Sequence, residues 1–223
     1  MNRPNTELQI RIYGVDGSLT SFTQDDPALV QRIVRDAQRP DFFRQDRITI
    51  AGRHSVITLV IGRIARVDLA GEELSPGKPS SKFPSGLGDV VEMPEQEFRY
   101  QIEALDLNHL ERRQHQHKPG QAERGFVDVH LVGGHHIYLQ FKMLALLPAE
   151  RLQRVHSIVT LPGLSFRLAG GGVGIANLTN AVKFTGYPGP PEVPADAWSA
   201  KEGANQELLT WSLQKQPKEV ETL

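Results

Sequence analysis

The sequence contains no cysteine, and that absence alone excludes several kinds of site. Disulfide bonds, thiolate nucleophiles and the cysteine-ligated zinc and iron–sulfur centres all require the missing thiol. A chain without cysteine also suits a reducing compartment, so we expect a cytoplasmic protein.

An excess of charge of one sign is missing as well. The 25 Lys and Arg residues nearly balance the 26 Asp and Glu residues, which gives a formal net charge of −1 at pH 7. A chain this close to neutral has no global electrostatic attraction for nucleic acid or for an anionic membrane. Binding of nucleic acid would therefore need a local basic patch.

Long apolar runs are also missing. The N-terminal segment MNRPNTELQI lacks the hydrophobic region of a signal peptide, and the apolar segment VITLVIGRIARV is interrupted by Gly62, Arg63 and Arg66. Because a membrane-spanning helix needs about 20 consecutive apolar residues, we expect no membrane segment and no membrane partner. The composition, with 39% hydrophobic and 23% charged residues, is typical of a soluble globular protein.

What the sequence does contain is a succession of short amphipathic segments. In the first half, LQIRIY (8–13) alternates apolar and polar residues, and the turn at Asp16 and Gly17 predicts a β-hairpin. Asp26 and Pro27 then provide the N-cap and the first position of a helix. Further strands are predicted at residues 18–23, 47–50, 55–61 and 64–69.

The second half repeats the order of the first. The alternation of residues 8–13 recurs at 126–132, and the helix-opening Pro27 recurs as Pro148. Four such matches occur in the same order, with offsets between 117 and 121 residues. We interpret them as an internal duplication, although any one match between alternating strands is weak.

These patterns predict an α+β fold of two β-β-α-β-β-β units, at residues 7–70 and 126–187, that form a pseudo-twofold pair. The segment 71–125 is interpreted as a Gly-, Pro- and Ser-rich linker followed by an inserted amphipathic helix at 94–113. That helix either covers a remaining sheet face or makes a dimer contact. A Pro-rich segment and tail follow at 188–223.

The tail is polar but contains both tryptophans of the chain. Large apolar groups in such a segment usually pack against another surface, which is either the protein's own core or a partner. The candidate partner-binding residues are Trp198, Leu209, Trp211 and Leu213.

The segment LAGGGVGIANL (168–178) raises the question of a phosphate-binding loop. A dinucleotide fingerprint would need a third glycine where Ile175 stands, and a helix would have to follow. Because Gly170 falls on Gly52 of the first unit, we expect a turn between two strands. The glycines then indicate close backbone approach, by the other unit or by a ligand.

The polar residues do not form a recognisable reactive constellation. Asp128 and His130 share one face of their predicted strand, whereas the adjacent His135 and His136 point to opposite faces. We nominate no catalytic residue, no metal site and no cofactor.

The features that match between the two units are apolar spacing, glycines and a helix-opening proline, which serve packing. The sequence therefore favours a non-enzymatic protein-interaction or regulatory scaffold module, with a protein partner or a homodimer, over an enzyme. One alternative is nucleic-acid binding through matched basic positions, which are Arg32, Arg66, Arg154 and Lys183.

A further alternative is a small hydrolase or ligand-binding protein with a site between the units. Such a site would bring together at least two of four residues, which are His54, Asp68, Asp128 and His130.

Overall fold

A computed structural model of the chain describes residues 7–52, 55–74, 90–112, 122–144 and 157–187. All of them belong to one compact unit, Met1–Glu192. Within these ranges the fold is α+β, with a large sheet and few helices. No helix in them has the length and apolar character needed to cross a membrane.

The described strands and helices follow the order that the sequence predicts, with one addition. The strands are β1 (Leu8–Gly14), β2 (Leu19–Gln24), β3 (Arg47–Ala51), β4 (Val56–Val60), β5 (Ile64–Ala70), β6 (Val90–Glu92), β7 (Ala122–Leu131), β8 (His135–Leu144), β9 (Gly163–Arg167), β10 (Val173–Asn177) and β11 (Ala181–Tyr187). The helices are α1 (Pro27–Ala37) and α2 (Glu95–Arg112). The addition is β6, which lies at the end of the segment interpreted as linker.

Nine of these strands form one sheet in the order β11-β7-β8-β6-β9-β10-β5-β1-β2, and β3 and β4 form a separate hairpin. Neighbours are antiparallel except β6 and β9, which are parallel. The strands of the two predicted units meet where β10 pairs with β5, from Val173 opposite Leu69 to Ala176 opposite Arg66.

Local sequence explains the first hairpin and the first helix. The β1–β2 turn has Gly17 at φ +81°, and the Asp16 carboxylate accepts a hydrogen bond from the Ser18 backbone N–H at 3.0 Å. Asp26 caps α1 by accepting from the N–H groups of Ala28 and Leu29 at 2.8 and 3.1 Å. Both predictions are confirmed.

Within the described ranges, three apolar clusters pack against the sheet. The first core joins α1 to β1, β5 and β10, and it includes Ile10, Val34 and Ile175. The second core lines β7, β8, β6 and β9, with Leu139 and Phe166 buried in it. Burial of each such side chain contributes about 1.5–3 kcal/mol to stability.

The inserted helix α2 forms the third cluster. Phe98 is buried and packs edge-on against Phe126 and Tyr187, with its ring centroid 4.9 Å from that of Tyr138. Ile102 packs on the same cluster, at the helical spacing that the sequence predicts. The helix therefore covers a face of β7, β8 and β11.

The two halves share details beyond strand order. In each, a single 3₁₀ turn precedes the last strand, and a hairpin residue donates its N–H to the final carbonyl of that turn. The bond from Val15 to Arg63 is 3.0 Å long, and that from Val132 to Asn180 is 2.9 Å. The register shifts by one residue at the start of β5 and again at the start of β11.

The halves differ in where their second hairpins lie. The β9–β10 hairpin belongs to the large sheet, whereas the β3–β4 hairpin stands outside it. The helix predicted to begin at Pro148 falls mostly outside the described residues. The part of the predicted segment that is described, residues 157–159, is helical.

Candidate functional site

The glycine-rich segment is the turn between β9 and β10. Gly171 and Gly172 have φ values of +91° and +104°, and Leu168 donates to the carbonyl of Gly172 at 3.2 Å. A Cβ atom on Gly172 would overlap the Leu69 carbonyl oxygen and lie 3.0 Å from the Ala70 Cα atom. The expected close approach is confirmed, and the approaching backbone is that of β5.

Arg66, a candidate for nucleic-acid binding, lies in an ion-pair network. Its guanidinium makes two hydrogen bonds to Asp68, at 2.6 and 3.0 Å, and a third to Glu92 on β6 at 2.5 Å. The rings of Tyr13 and Phe166 lie 5.4 and 5.1 Å from it. Only 14% of the Arg66 side chain is exposed.

The surroundings of Arg66 keep its charge fixed. Burial lowers the pKa of Arg66, but the hydrogen bonds to Asp68 and Glu92 outweigh burial and hold the pKa above its ordinary value. Burial raises the pKa of Tyr13, and the Asp68 charge acts in the same direction. The network neutralises a buried cation and leaves Arg66 little capacity for a phosphate.

Two of the other candidate basic residues, Arg32 and Lys183, are not brought together with Arg66. Arg32 is exposed on α1 and lies 3.8 Å from Asp36, whereas Lys183 is exposed on β11, at the far end of the sheet. Arg154 lies outside the described residues. Nucleic-acid binding through these positions remains a prediction.

A histidine-rich face lies on β7 and β8 beside α2. The rings of His130 and His136 stack with centroids 4.3 Å apart, and Tyr138 continues the stack at 5.8 Å. His136 Nδ1 lies 3.0 Å from the Asp128 carboxylate. In the β7–β8 register His130 lies opposite His136 and Asp128 lies opposite Tyr138, so the strand pairing itself aligns the rings.

Burial raises the pKa of Tyr138 to about 12, and the charges of Glu95 on α2 and of Asp128 act in the same direction. The Asp128–His136 pair orients an imidazole. Within the described ranges, no group of three His, Asp or Glu side chains is arranged to hold a metal ion.

Of the residues of the proposed site between the units, Asp68 lies apart from Asp128 and His130, which share one face of β7. Asp68 is 4% exposed and held by Arg66 on β5, whereas Asp128 and His130 lie on β7. His54 is outside the described residues. His135, which precedes His136 in the chain, forms a hydrogen bond of 2.9 Å between its Nε2 atom and the Gly14 carbonyl oxygen. This bond links the hairpin turns of the two halves.

Two strongly exposed aliphatic side chains are on β4. Val56 and Val60 are 71% and 59% exposed, and Thr58 between them is exposed. Ile57 and Leu59 are half-buried on the opposite face, where Leu59 packs on the first core. This alternation indicates a hairpin with one covered face and one open face.

The outer edge of β4 has no strand partner among the described residues. Its five residues include no charged side chain, no proline and no glycine. We call the exposed side and outer edge of Val56–Val60 the β4 edge. Periodicity predicts the strand, but a sequence pattern does not reveal which strands lack a neighbour.

No protein-family model, no curated protein and no solved structure matches this chain. The candidate partner-binding residues of the tail fall outside the described residues, so their role remains a prediction. They are Trp198, Leu209, Trp211 and Leu213.

Proposed function

We propose that this protein is a non-enzymatic interaction module of the cytoplasm that binds a protein partner by adding a β-strand at the β4 edge. The observation that carries the proposal is an uncharged strand edge bordered by exposed Val56 and Val60. An exposed edge offers backbone N–H and C=O groups to an incoming strand, and natural proteins protect edges that are not used.

The protection found at another edge strand is absent from β4. On β11, the register shifts between Ala181 and Lys183, and Lys183 adds an exposed charge. Bulges and lysines at such positions discourage pairing. The regular β4 carries neither device, so its edge is open to pairing.

The buried polar side chains of the sheet support a structural interpretation over a catalytic one. Arg66 is saturated by two carboxylates. Asn177 is fully buried and donates to the backbone carbonyls of Ile61 and Ile64 at 3.3 and 2.9 Å. Groups already satisfied in this way add rigidity and leave little capacity for a substrate.

We also propose that the two halves are an internal duplication related by a pseudo-twofold axis. The matched 3₁₀ turns, register shifts and turn hydrogen bonds support it. At an offset of 117 residues, β4 (Val56–Val60) is the counterpart of β10 (Val173–Asn177). All five residues of β10 are buried beside β5, so the partner strand would occupy at β4 the place that β5 takes beside β10.

The direction of the backbone groups suggests the test. Gly52 donates to the Ser55 carbonyl at 2.8 Å, and Ile61 donates to the Asp46 carbonyl at 3.0 Å. In an antiparallel pair the backbone groups of successive residues point alternately toward and away from the partner strand. The N–H and C=O groups of Ile57 and Leu59 therefore point toward β3, and the N–H of Thr58 points outward. Replacement of Thr58 by proline therefore removes an outward donor without breaking the β3–β4 ladder.

The experiment selects peptides from a displayed random library on the full-length protein and compares their affinities for Thr58→Pro and Thr49→Pro variants. Thr49 is the exposed cross-strand neighbour of Thr58, and its N–H points outward on the opposite edge, so it is a matched control. We expect selected peptides to lose about tenfold or more in affinity for Thr58→Pro only. Peptides that bind all three proteins equally would contradict strand addition at β4.

A further inference from the structure

We infer that the strand bound at the β4 edge is β4 of a second copy, paired antiparallel about a twofold axis through Thr58. This inference rests on the proposed function and names its partner. Three properties of the strand support it, and they are its sequence symmetry, the direction of its backbone groups and its lack of charge.

The sequence of β4 is nearly the same in both directions. It reads Val-Ile-Thr-Leu-Val, with Thr58 at the centre. In an antiparallel pair centred on Thr58, Val56 lies opposite Val60 of the other copy, and Ile57 lies opposite Leu59. Every exposed residue then lies opposite an exposed residue, and every half-buried residue lies opposite a half-buried one. The exposed faces of the two strands therefore lie on the same side of the joined sheet.

The backbone direction agrees with the same centre. Ser55 accepts a hydrogen bond from Gly52 and Ile61 donates one to Asp46, just beyond the two ends of β3. The alternation therefore places the outward N–H and C=O groups at Val56, Thr58 and Val60. Two copies related by a twofold axis at Thr58 present these groups to one another in register. A one-residue shift would instead oppose groups that are already bonded to β3.

The lack of charge permits two identical strands to approach. Identical strands bring any charged residue close to its own copy, and β4 has none. A twofold interface requires such self-complementarity. Pairing would produce a continuous four-stranded sheet, with Val56 and Val60 of the two copies side by side across the junction.

The first experiment measures the mass of the full-length protein in solution against protein concentration, by sedimentation equilibrium. We expect a monomer–dimer equilibrium whose Kd rises about tenfold or more in the Thr58→Pro variant and stays unchanged in Thr49→Pro. A strictly monomeric wild type, or a dimer that Thr58→Pro leaves intact, overturns the inference.

The second experiment uses the absence of cysteine from the natural chain. Hydrogen-bonded antiparallel residues have Cα atoms about 5.5 Å apart, inside the disulfide range of about 4.4–6.8 Å. Thr58→Cys should therefore give a disulfide-linked dimer on mild oxidation, and Thr49→Cys should not. A mixture of Val56→Cys and Val60→Cys should cross-link faster than either variant alone, and a different pattern overturns the register.

The outcomes separate this inference from the proposed function. If the protein stays monomeric while selected peptides still bind at β4 and are lost with Thr58→Pro, the second copy is the wrong partner and strand addition stands. If neither association nor peptide binding depends on Thr58, both are wrong. A Thr58→Lys and Thr49→Lys pair repeats the comparison without proline, should a proline variant fail to fold.

Discussion

Arg66 on β5 contacts Glu92 on β6 at 2.5 Å although β10 and β9 lie between their strands in the sheet. Neighbouring strands are about 4.8 Å apart, so the two backbones would be ~14 Å apart in a flat sheet. The contact is therefore made by two long side chains that extend toward each other across the two intervening strands. Gly174 on β10 contributes, because a Cβ atom there would overlap the Phe166 ring that lies beside the Arg66 guanidinium.

Loss of Arg66 should be among the most destabilising single changes in the sheet. Arg66→Ala leaves the 4%-exposed Asp68 without its cation, and removal of one partner from a buried pair costs about 3–5 kcal/mol. Arg32→Ala is the control, because its ion pair with Asp36 is exposed and should contribute under about 1 kcal/mol. Urea unfolding measures both, and similar losses in the two variants would contradict the network.

The Gly172→Ala variant tests the close approach of β5. A side chain at φ +104° is strained, and its Cβ atom would also overlap the Leu69 carbonyl. We expect a loss of about 2 kcal/mol or more in the free energy of unfolding. At Gly170 a Cβ atom would meet nothing within 4 Å, so Gly170→Ala should change stability by under about 0.5 kcal/mol. A tolerated Gly172→Ala would show that the turn does not need glycine.

Tyr138 should ionise well above the ordinary pKa of tyrosine. Its folded-state pKa is raised from 10.0 to about 12, so the neutral phenol stabilises the fold. This contribution is fully present below pH 10 and is lost as the pH rises toward 12. The ultraviolet titration of wild type minus that of Tyr138→Phe should show a midpoint near 12, and a midpoint near 10 would contradict the assigned environment.

Deletion of residues 196–223 tests the predicted role of the tail. The deletion removes the four candidate partner-binding residues, Trp198, Leu209, Trp211 and Leu213. We expect partner capture, measured by cross-linking in host extract, to weaken while Tm changes by less than about 2 °C. Aggregation or a much lower Tm would instead identify the tail as part of the folded core.

The elements of the fold follow from local sequence. The alternation in β1, the Asp16-Gly17 turn, the capped start of α1 and the apolar spacing in α2 each depend on residues close together in the chain, and each prediction is confirmed. The three-residue β6 was missed, because Val90–Glu92 follows a Gly-, Pro- and Ser-rich segment and is too short for a periodic signal.

The partners of those elements were decided by the tertiary structure. The sequences of β4 and β10 both predict short apolar strands. In the structure, however, β10 is buried beside β5, whereas β4 has an exposed face. Likewise, no local pattern pairs Arg66 with Glu92, which is 26 residues away. The sequence by itself determined where most of the described strands, turns and helices form, because those depend on neighbouring residues. Which strand edge stays open depends on contacts between distant segments, and only the assembled sheet decides it.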